Sequence, residues 1–288
     1  MKTRIYYHSA TGNSLLIARR IAAELGNAEV TPMSGFTHAA ARPASREAVG
    51  NRAAPLASPG AAGNGAAQRV GFIFPVIAWG PPRSVREFIA CFDPTGVEYA
   101  FAVASCGGTP ANSLPLVAKL LRKRGGRLHA GFAVRSASYM QTGGKDTLTG
   151  IVNMVRSLSG RVPGAEAERL PAVIEAIKGL KASRPERSAF IGALVGSAMN
   201  GMAASQMAKQ DSLYRVTSAC DGCGICTRLC PRDNIGMADN TPIWKHDCES
   251  CGACRTWCPR NAIAIGPGDP APAGHNPGVS LKDMILRK

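Results

Sequence analysis

Eight of the ten cysteines fall between positions 220 and 258, in two segments that repeat each other. The first, CDGCGICTRLCP, carries Cys220, Cys223, Cys226 and Cys230; the second, CESCGACRTWCP, carries Cys248, Cys251, Cys254 and Cys258. Both read C-x2-C-x2-C-x3-C-P, and each cysteine has a counterpart 28 positions away, so one small unit is duplicated. Three thiolates at steps of three on a tight loop can grip three irons of one cubane. The fourth, followed by proline, leaves that loop, and with this spacing it ligates the other cluster. The expected ligand sets are Cys220, Cys223, Cys226 and Cys258 for one [4Fe–4S] cluster, and Cys248, Cys251, Cys254 and Cys230 for a second. Structural zinc uses CxxC pairs without two triplets each trailed by Cys-Pro, and disulfides belong to exported chains. Trp257, between Cys254 and Cys258, is expected to shield a cluster from water.

A second chemistry-bearing stretch lies near the start. SATGNS (Ser9–Ser14) ends an apolar run and opens a helix-like one. Free amides at a helix N-terminus, with hydroxyls from Ser9, Thr11 and Ser14, can make an anion site; taken alone, such a turn also reads as a plain N-cap. It is neither a Walker A loop nor a G-x-G-x-x-G turn. Two further loops follow apolar runs: PVIAWGPP (Pro75–Pro82) and SCGGTPANS (Ser105–Ser113). In a doubly wound sheet the loops at the carboxyl ends of the strands converge on one crevice. Trp79 could then stack on a flat ring, and Gly107 and Gly108 could bring backbone donors to its edge. His8, beside the turn, reads as a packed strand-end residue, and Cys91 as a core residue.

The elements that must position these groups alternate. Strands are expected at Thr3–His8, Ala28–Met33, Arg69–Val76, Glu98–Ser105 and Arg127–Val134, and helices at about Asn13–Leu25, Arg83–Phe92 and Asn112–Arg124. Strands apolar on both faces, separated by helices, predict an α/β fold with a parallel sheet covered on both sides. Between the second and third strands, residues 37–68 hold twelve alanines, three prolines and four glycines, the composition of a disordered insertion. Residues 147–210 read as a helical connector broken at Pro163, Pro171 and Pro185, and residues 267–288 as a tail. Formal net charge is +15, nearly all of it in residues 1–210. The basic run Lys119–Arg127 reads as a solvated helix end, so nucleic acid is not an expected partner. The run Phe190–Ala208 is too polar for a stable membrane span. Without a signal-peptide pattern, a cytoplasmic location is expected.

The first half resembles a flavodoxin domain, with SATGNS matching its FMN-phosphate loop, and Tyr214–Ile265 resembles a bacterial-type 2[4Fe–4S] ferredoxin module. Together they resemble the flavodoxin-plus-ferredoxin fusions of the EFR1 family of ferredoxins. The resemblance implies a five-stranded flavodoxin-like doubly wound sheet over residues 1–146 and a small α+β ferredoxin-like domain over residues 211–266. It also implies FMN, its phosphate on Ser9, Ala10, Thr11, Gly12, Asn13 and Ser14. The ring would meet Pro75, Val76, Ala78, Trp79 and Gly80, and Ser105, Cys106, Gly107 and Gly108. Two departures stand out: the third loop offers no aromatic, and the domain is basic where flavodoxins are usually acidic. The expected function is an electron relay between two clusters and FMN, serving redox protein partners, with no acid–base constellation for a defined substrate. The alternatives are a ferredoxin carrier whose flavodoxin-like domain is a flavin-free docking module, or a flavin-dependent reductase of a small organic acceptor. Since each cluster with its thiolates carries roughly −2 charge, the cysteine-rich half is expected to dock electrostatically on the basic half.

Overall fold

The computed structural model describes residues 1–33, 67–137, 166–188, 207–266 and 273–285. The alanine-rich insertion and the Phe190–Ala208 run lie almost wholly outside the described residues, as does most of the helical connector.

The chain opens with β1 (Thr3–Tyr7), α1 (Asn13–Leu25), β2 (Ala28–Pro32), β3 (Arg69–Pro75), α2 (Arg83–Cys91), β4 (Tyr99–Cys106), α3 (Ser113–Lys123), β5 (Ala130–Arg135) and α4 (Glu166–Lys178). The five strands form one sheet in the order β2-β1-β3-β4-β5, every pair parallel. This is the flavodoxin-like doubly wound order, whose crevice lies where β1 and β3 send their helices to opposite faces. Period-two alternation along β4 divides the core. Ala100, Ala102 and Ala104 face Phe72, Phe74, Phe88, Phe92, Leu114 and Val117 beneath α2 and α3. Tyr99, Phe101 and Val103 face Ile5, Ile17, Ile21, Phe132, Val173 and Ile177 beneath α1 and α4. The Phe101 ring lies over Gly71, where an added Cβ would come within 2.4 Å of its Cζ.

Helix α1 runs between Gly12 and Gly26, and Gly26 at φ 73° returns its N–H to the Ala22 carbonyl, a common helix stop. Pro171, expected to break a helix, instead lies inside α4. One missing N–H there costs less than burying Leu170, Val173, Ile174 and Ile177 against the sheet gains. The edge strand β5 is covered by the following segment: Ser183 donates its N–H to the His129 carbonyl at 2.9 Å and Glu186 to that of Gly131 at 3.0 Å.

A small cysteine-rich unit follows: β6 (Tyr214–Val216), α5 (Ile225–Leu229), β7 (Ile235–Ala238), β8 (Thr241–Trp244), α6 (Ala253–Thr256) and β9 (Ile263–Ile265). β6 pairs antiparallel with β9, and β7 with β8. The duplication survives in the backbone: α5 and α6 each start after a left-handed glycine, Gly224 at φ 66° and Gly252 at φ 73°. The C-terminal strap, residues 273–285, ends in the short helix α7 (Leu281–Met284), closed by a Ser280–Asp283 capping box. Among the described residues no helix is long and apolar enough to cross a membrane.

Candidate functional site

The eight motif cysteines separate into two cavities, and the separation is crosswise. Cys220, Cys223, Cys226 and Cys258 line a cavity of about 350 Å³. Cys230, Cys248, Cys251 and Cys254 line another of about 320 Å³. In each set three cysteines come from one loop and the fourth from the start of the other repeat's exit. The exit thiols are set alike. Asn234 donates its N–H to Cys230 Sγ at 3.4 Å, and Ala262 donates to Cys258 Sγ at 3.3 Å, each four residues on. Ser250 N–H adds a third such bond, to Cys248 Sγ at 3.2 Å. Amides aimed at sulfur suit thiolate ligands of an iron–sulfur cluster. Burial pushes the Cys226 and Cys248 thiols up to about 11, so without a metal both stay protonated near neutral pH. Tyr214 and Trp244, edge to face with centroids 5.5 Å apart, wall the second cavity.

The two cavities differ in setting. The first is lined by the cysteine-rich unit alone and opens beside exposed Cys223. The second lies against the sheet. Cys251, Ala253 and Trp257 share an apolar cluster with Ala10, Leu15 and Ile77. Trp257, only 5% exposed, donates Nε1–H to the Ala10 carbonyl at 2.8 Å. A residue inside the second cysteine repeat is thus bonded to the turn that opens α1.

That turn has the features of an anion site. Gly12, left-handed at φ 95°, caps α1 without any side-chain hydrogen bond, so the first amides of the helix have no intrahelical partner. Ser9 Oγ is buried with no hydrogen-bond partner. Ser14 Oγ lies 2.9 Å from Ser105 Oγ, and Asn13 donates Nδ2–H to the Ala137 carbonyl at 2.8 Å. A cavity of about 420 Å³ opens here, lined by Ser9, Ala10, Thr11, Asn13 and Ser14, by Pro75 and Val76, and by Ser105, Cys106 and Gly107. Burial pushes the Cys106 thiol up to about 12, so this side chain stays neutral.

Four proposed flavin contacts, Ala78, Trp79, Gly80 and Gly108, are not among the residues lining that cavity, and neither is Gly12. Ile77 and Gly80 exchange both backbone hydrogen bonds across Ala78 and Trp79, at φ 45° and 60°. This is a two-residue turn of the kind that favours Asn-Gly, here built from side chains that pay in strain. The Ala78 side packs towards the cysteine-rich unit. Conversely, Ser136 and Ala137 line the cavity and were not anticipated. The parallel-sheet rule could have found them, since they follow β5 at its carboxyl end. His8 does not reach the cavity. It is buried with Nδ1 at 3.2 Å from Ser84 Oγ and Nε2 at 3.2 Å from Glu249 Oε1, and burial holds its pKa below the ordinary value despite that carboxylate.

The contacts between the units do not follow net charge alone. Arg83 of α2 pairs with Asp247, which fits a basic sheet unit, but Glu87 of the same helix pairs with Arg232. Arg232 also holds Asp247 at 2.8 Å, closing a four-residue network.

A family model described as a 4Fe-4S dicluster domain matches residues 203–263. No curated protein matches the chain. Solved structures similar to the sheet unit include a WrbA-like flavodoxin from Agrobacterium tumefaciens, 19% identical, covering 49% of this chain and 86% of that one with a TM-score of 0.34. A flavodoxin from the domain Archaea is 13% identical, covering 47% and 84%, with a TM-score of 0.33. A short-chain flavodoxin associated with a non-canonical PDU bacterial microcompartment is 14% identical, covering 63% and 100%, with a TM-score of 0.36. Strand order and register, rather than these distant alignments, define the fold. The chain joins a flavodoxin-like α/β domain to a 4Fe–4S domain. The 4Fe–4S domain beside this sheet supports an electron-transfer protein.

Proposed function

We propose that this protein carries two [4Fe–4S] clusters and one FMN and passes electrons among them on behalf of redox protein partners. The observation that carries the reading is the Trp257 bond to Ala10. It ties a cysteine-lined cavity to a turn with the makings of a phosphate site. Cys220, Cys223, Cys226 and Cys258 would hold one cluster, and Cys230, Cys248, Cys251 and Cys254 the other. FMN phosphate would take the free α1 amides, the unpartnered Ser9 hydroxyl, and Thr11 and Ser14. Pro75, Val76, Ser105, Cys106 and Gly107 would border the rest of the flavin, with Ser136 and Ala137 added. Ala78, Trp79, Gly80 and Gly108 would reach it only from the rim. When bound, the clusters supply single-electron chemistry and FMN supplies exchange of one or two electrons.

The residues of the chain act by position rather than by bond-making. Amides donate to the cysteine sulfurs, Tyr214 and Trp244 exclude water from one cavity, and a neutral Cys106 adds no charge at the flavin edge. Exposed Cys223, with Met237 at 38% and Ile243 at 49% exposure on the same unit, offers an outer face to a partner.

The test is oxygen-free purification followed by quantification of flavin, iron and acid-labile sulfide per chain. The expected content is about one FMN with ~8 iron and ~8 sulfide. Full iron without flavin, even after FMN is added, overturns the three-centre reading and leaves a ferredoxin with a flavin-free docking domain.

A further inference from the structure

The C-terminal strap carries none of the sequence motifs, yet it closes over the turn that opens α1. Asn276 donates its backbone N–H to the Thr11 carbonyl at 2.8 Å and its Nδ2–H to Asn13 Oδ1 at 2.9 Å. Its own Oδ1 accepts the Gly278 N–H at 2.9 Å. Asn13 is therefore clamped from two sides, by the strap at its oxygen and by the Ala137 carbonyl at its nitrogen. Gly12 serves the same contact. A Cβ there would lie 3.1 Å from Val279 Cβ and 3.2 Å from Asn276 Cβ, so the open side of this glycine receives the strap. The strap also grips the cysteine-rich unit: the His275 ring stacks on Trp257, centroids 4.2 Å apart and planes 22° apart. Further on, Asp283 holds Arg19 of α1 at 2.5 Å.

We propose that Asn276 is a positioning residue that locks the Ser9–Ser14 turn in its anion-receiving shape, and that the His275–Trp257 stack makes this shape depend on the folded cysteine-rich unit. The proposal rests on reading that turn as the FMN-phosphate site. A turn ordered before the ligand arrives spares the ligand that ordering cost. Coupling of this kind is reciprocal, so FMN protects the strap as the strap strengthens FMN.

The test uses anaerobically prepared, iron-loaded full-length protein. Dissociation constants for FMN and for riboflavin come from flavin fluorescence quenching, and hydrogen exchange is followed in peptides covering residues 9–16 and 273–285. Asn276→Ala is expected to raise the FMN constant tenfold or more, move the riboflavin constant far less, and speed exchange in residues 9–16, with iron and sulfide unchanged. Asn276→Asp keeps the acceptor for Gly278 but loses the donor to Asn13 and adds negative charge, so it is expected to weaken FMN at least as much. An FMN constant within twofold of wild type in both variants, with exchange unaltered, overturns the positioning role. A constant raised by Asn276→Ala but not by His275→Ala or Trp257→Phe overturns the dependence on the cysteine-rich unit. If wild type takes up no FMN, the three-centre reading falls, and exchange in residues 9–16 alone decides for or against the strap.

Discussion

Every residue of β4 is buried, whereas β8, of half its length, leaves two of its four residues exposed. The contrast extends to the units that hold these strands. The largest fully buried side chains among the described residues, Phe72, Phe74, Phe88, Phe92 and Phe101 at their head, all belong to the sheet unit. The cysteine-rich unit has a core in which Ile235, Ile263 and Cys254 are the buried members. One unit is stabilised by apolar burial on two faces of a sheet. The other is too small for that and relies on what its cysteines hold and on the sheet it leans against. The larger unit brings a preformed crevice, and the smaller one is expected to owe its order to the metal it is loaded with.

The largest effect expected from this contrast is that of iron removal. Chelation under reducing conditions should abolish hydrogen-exchange protection across residues 207–266 while β1, β3 and β4 stay protected. Protection that persists in 207–266 without iron would mean its apolar contacts suffice, and the contrast would collapse. The mirror experiment is Gly71→Ala, which drives a methyl into the Phe101 ring. It should lower stability to urea by roughly 1–3 kcal/mol in the sheet unit alone, with iron content unchanged. An equal loss of iron would show that the two units fold as one.

The seam between the units gives a smaller effect. Arg232 is 8% exposed and serves both Glu87 and Asp247. Arg232→Ala should cost about 2 kcal/mol and move the thermal transitions of the two units further apart in calorimetry. The smallest effect concerns pH. Arg19 and the Ser280 groups hold the Asp283 carboxyl well below the ordinary carboxylate range. The unfolded chain therefore takes up the proton first, near pH ~4. The strap's stabilisation is full above that pH and fades as pH falls further. Protection factors in residues 273–285, taken against the intrinsic exchange rate at each pH, should fall on acidification in wild type, whereas Asp283→Asn should already be poorly protected at pH 7 and change little.

Much of this was legible along the chain. The Asn13–Leu25 helix, the five parallel strands and the crosswise grouping of the eight cysteines follow from local periodicity and spacing. Backbone geometry over a few residues is set by those residues: Gly224 and Gly252 turn left, a helix turn follows, and the next cysteine is carried away from its own loop. The turn Ser9–Ser14 was likewise readable as an uncapped helix start, which exposes amides whatever surrounds it. Tertiary structure alone decided the rest. Trp79 sits on a strained two-residue turn rather than on the cavity wall, and Ser136 and Ala137 take a place there. Gly12 opens towards Val279 and Asn276, and Trp257 reaches across the chain to Ala10. Such contacts join residues more than 240 positions apart, and no local propensity encodes them. They exist because two separately patterned surfaces, each with apolar area and polar groups left to satisfy, found their complement in the same chain.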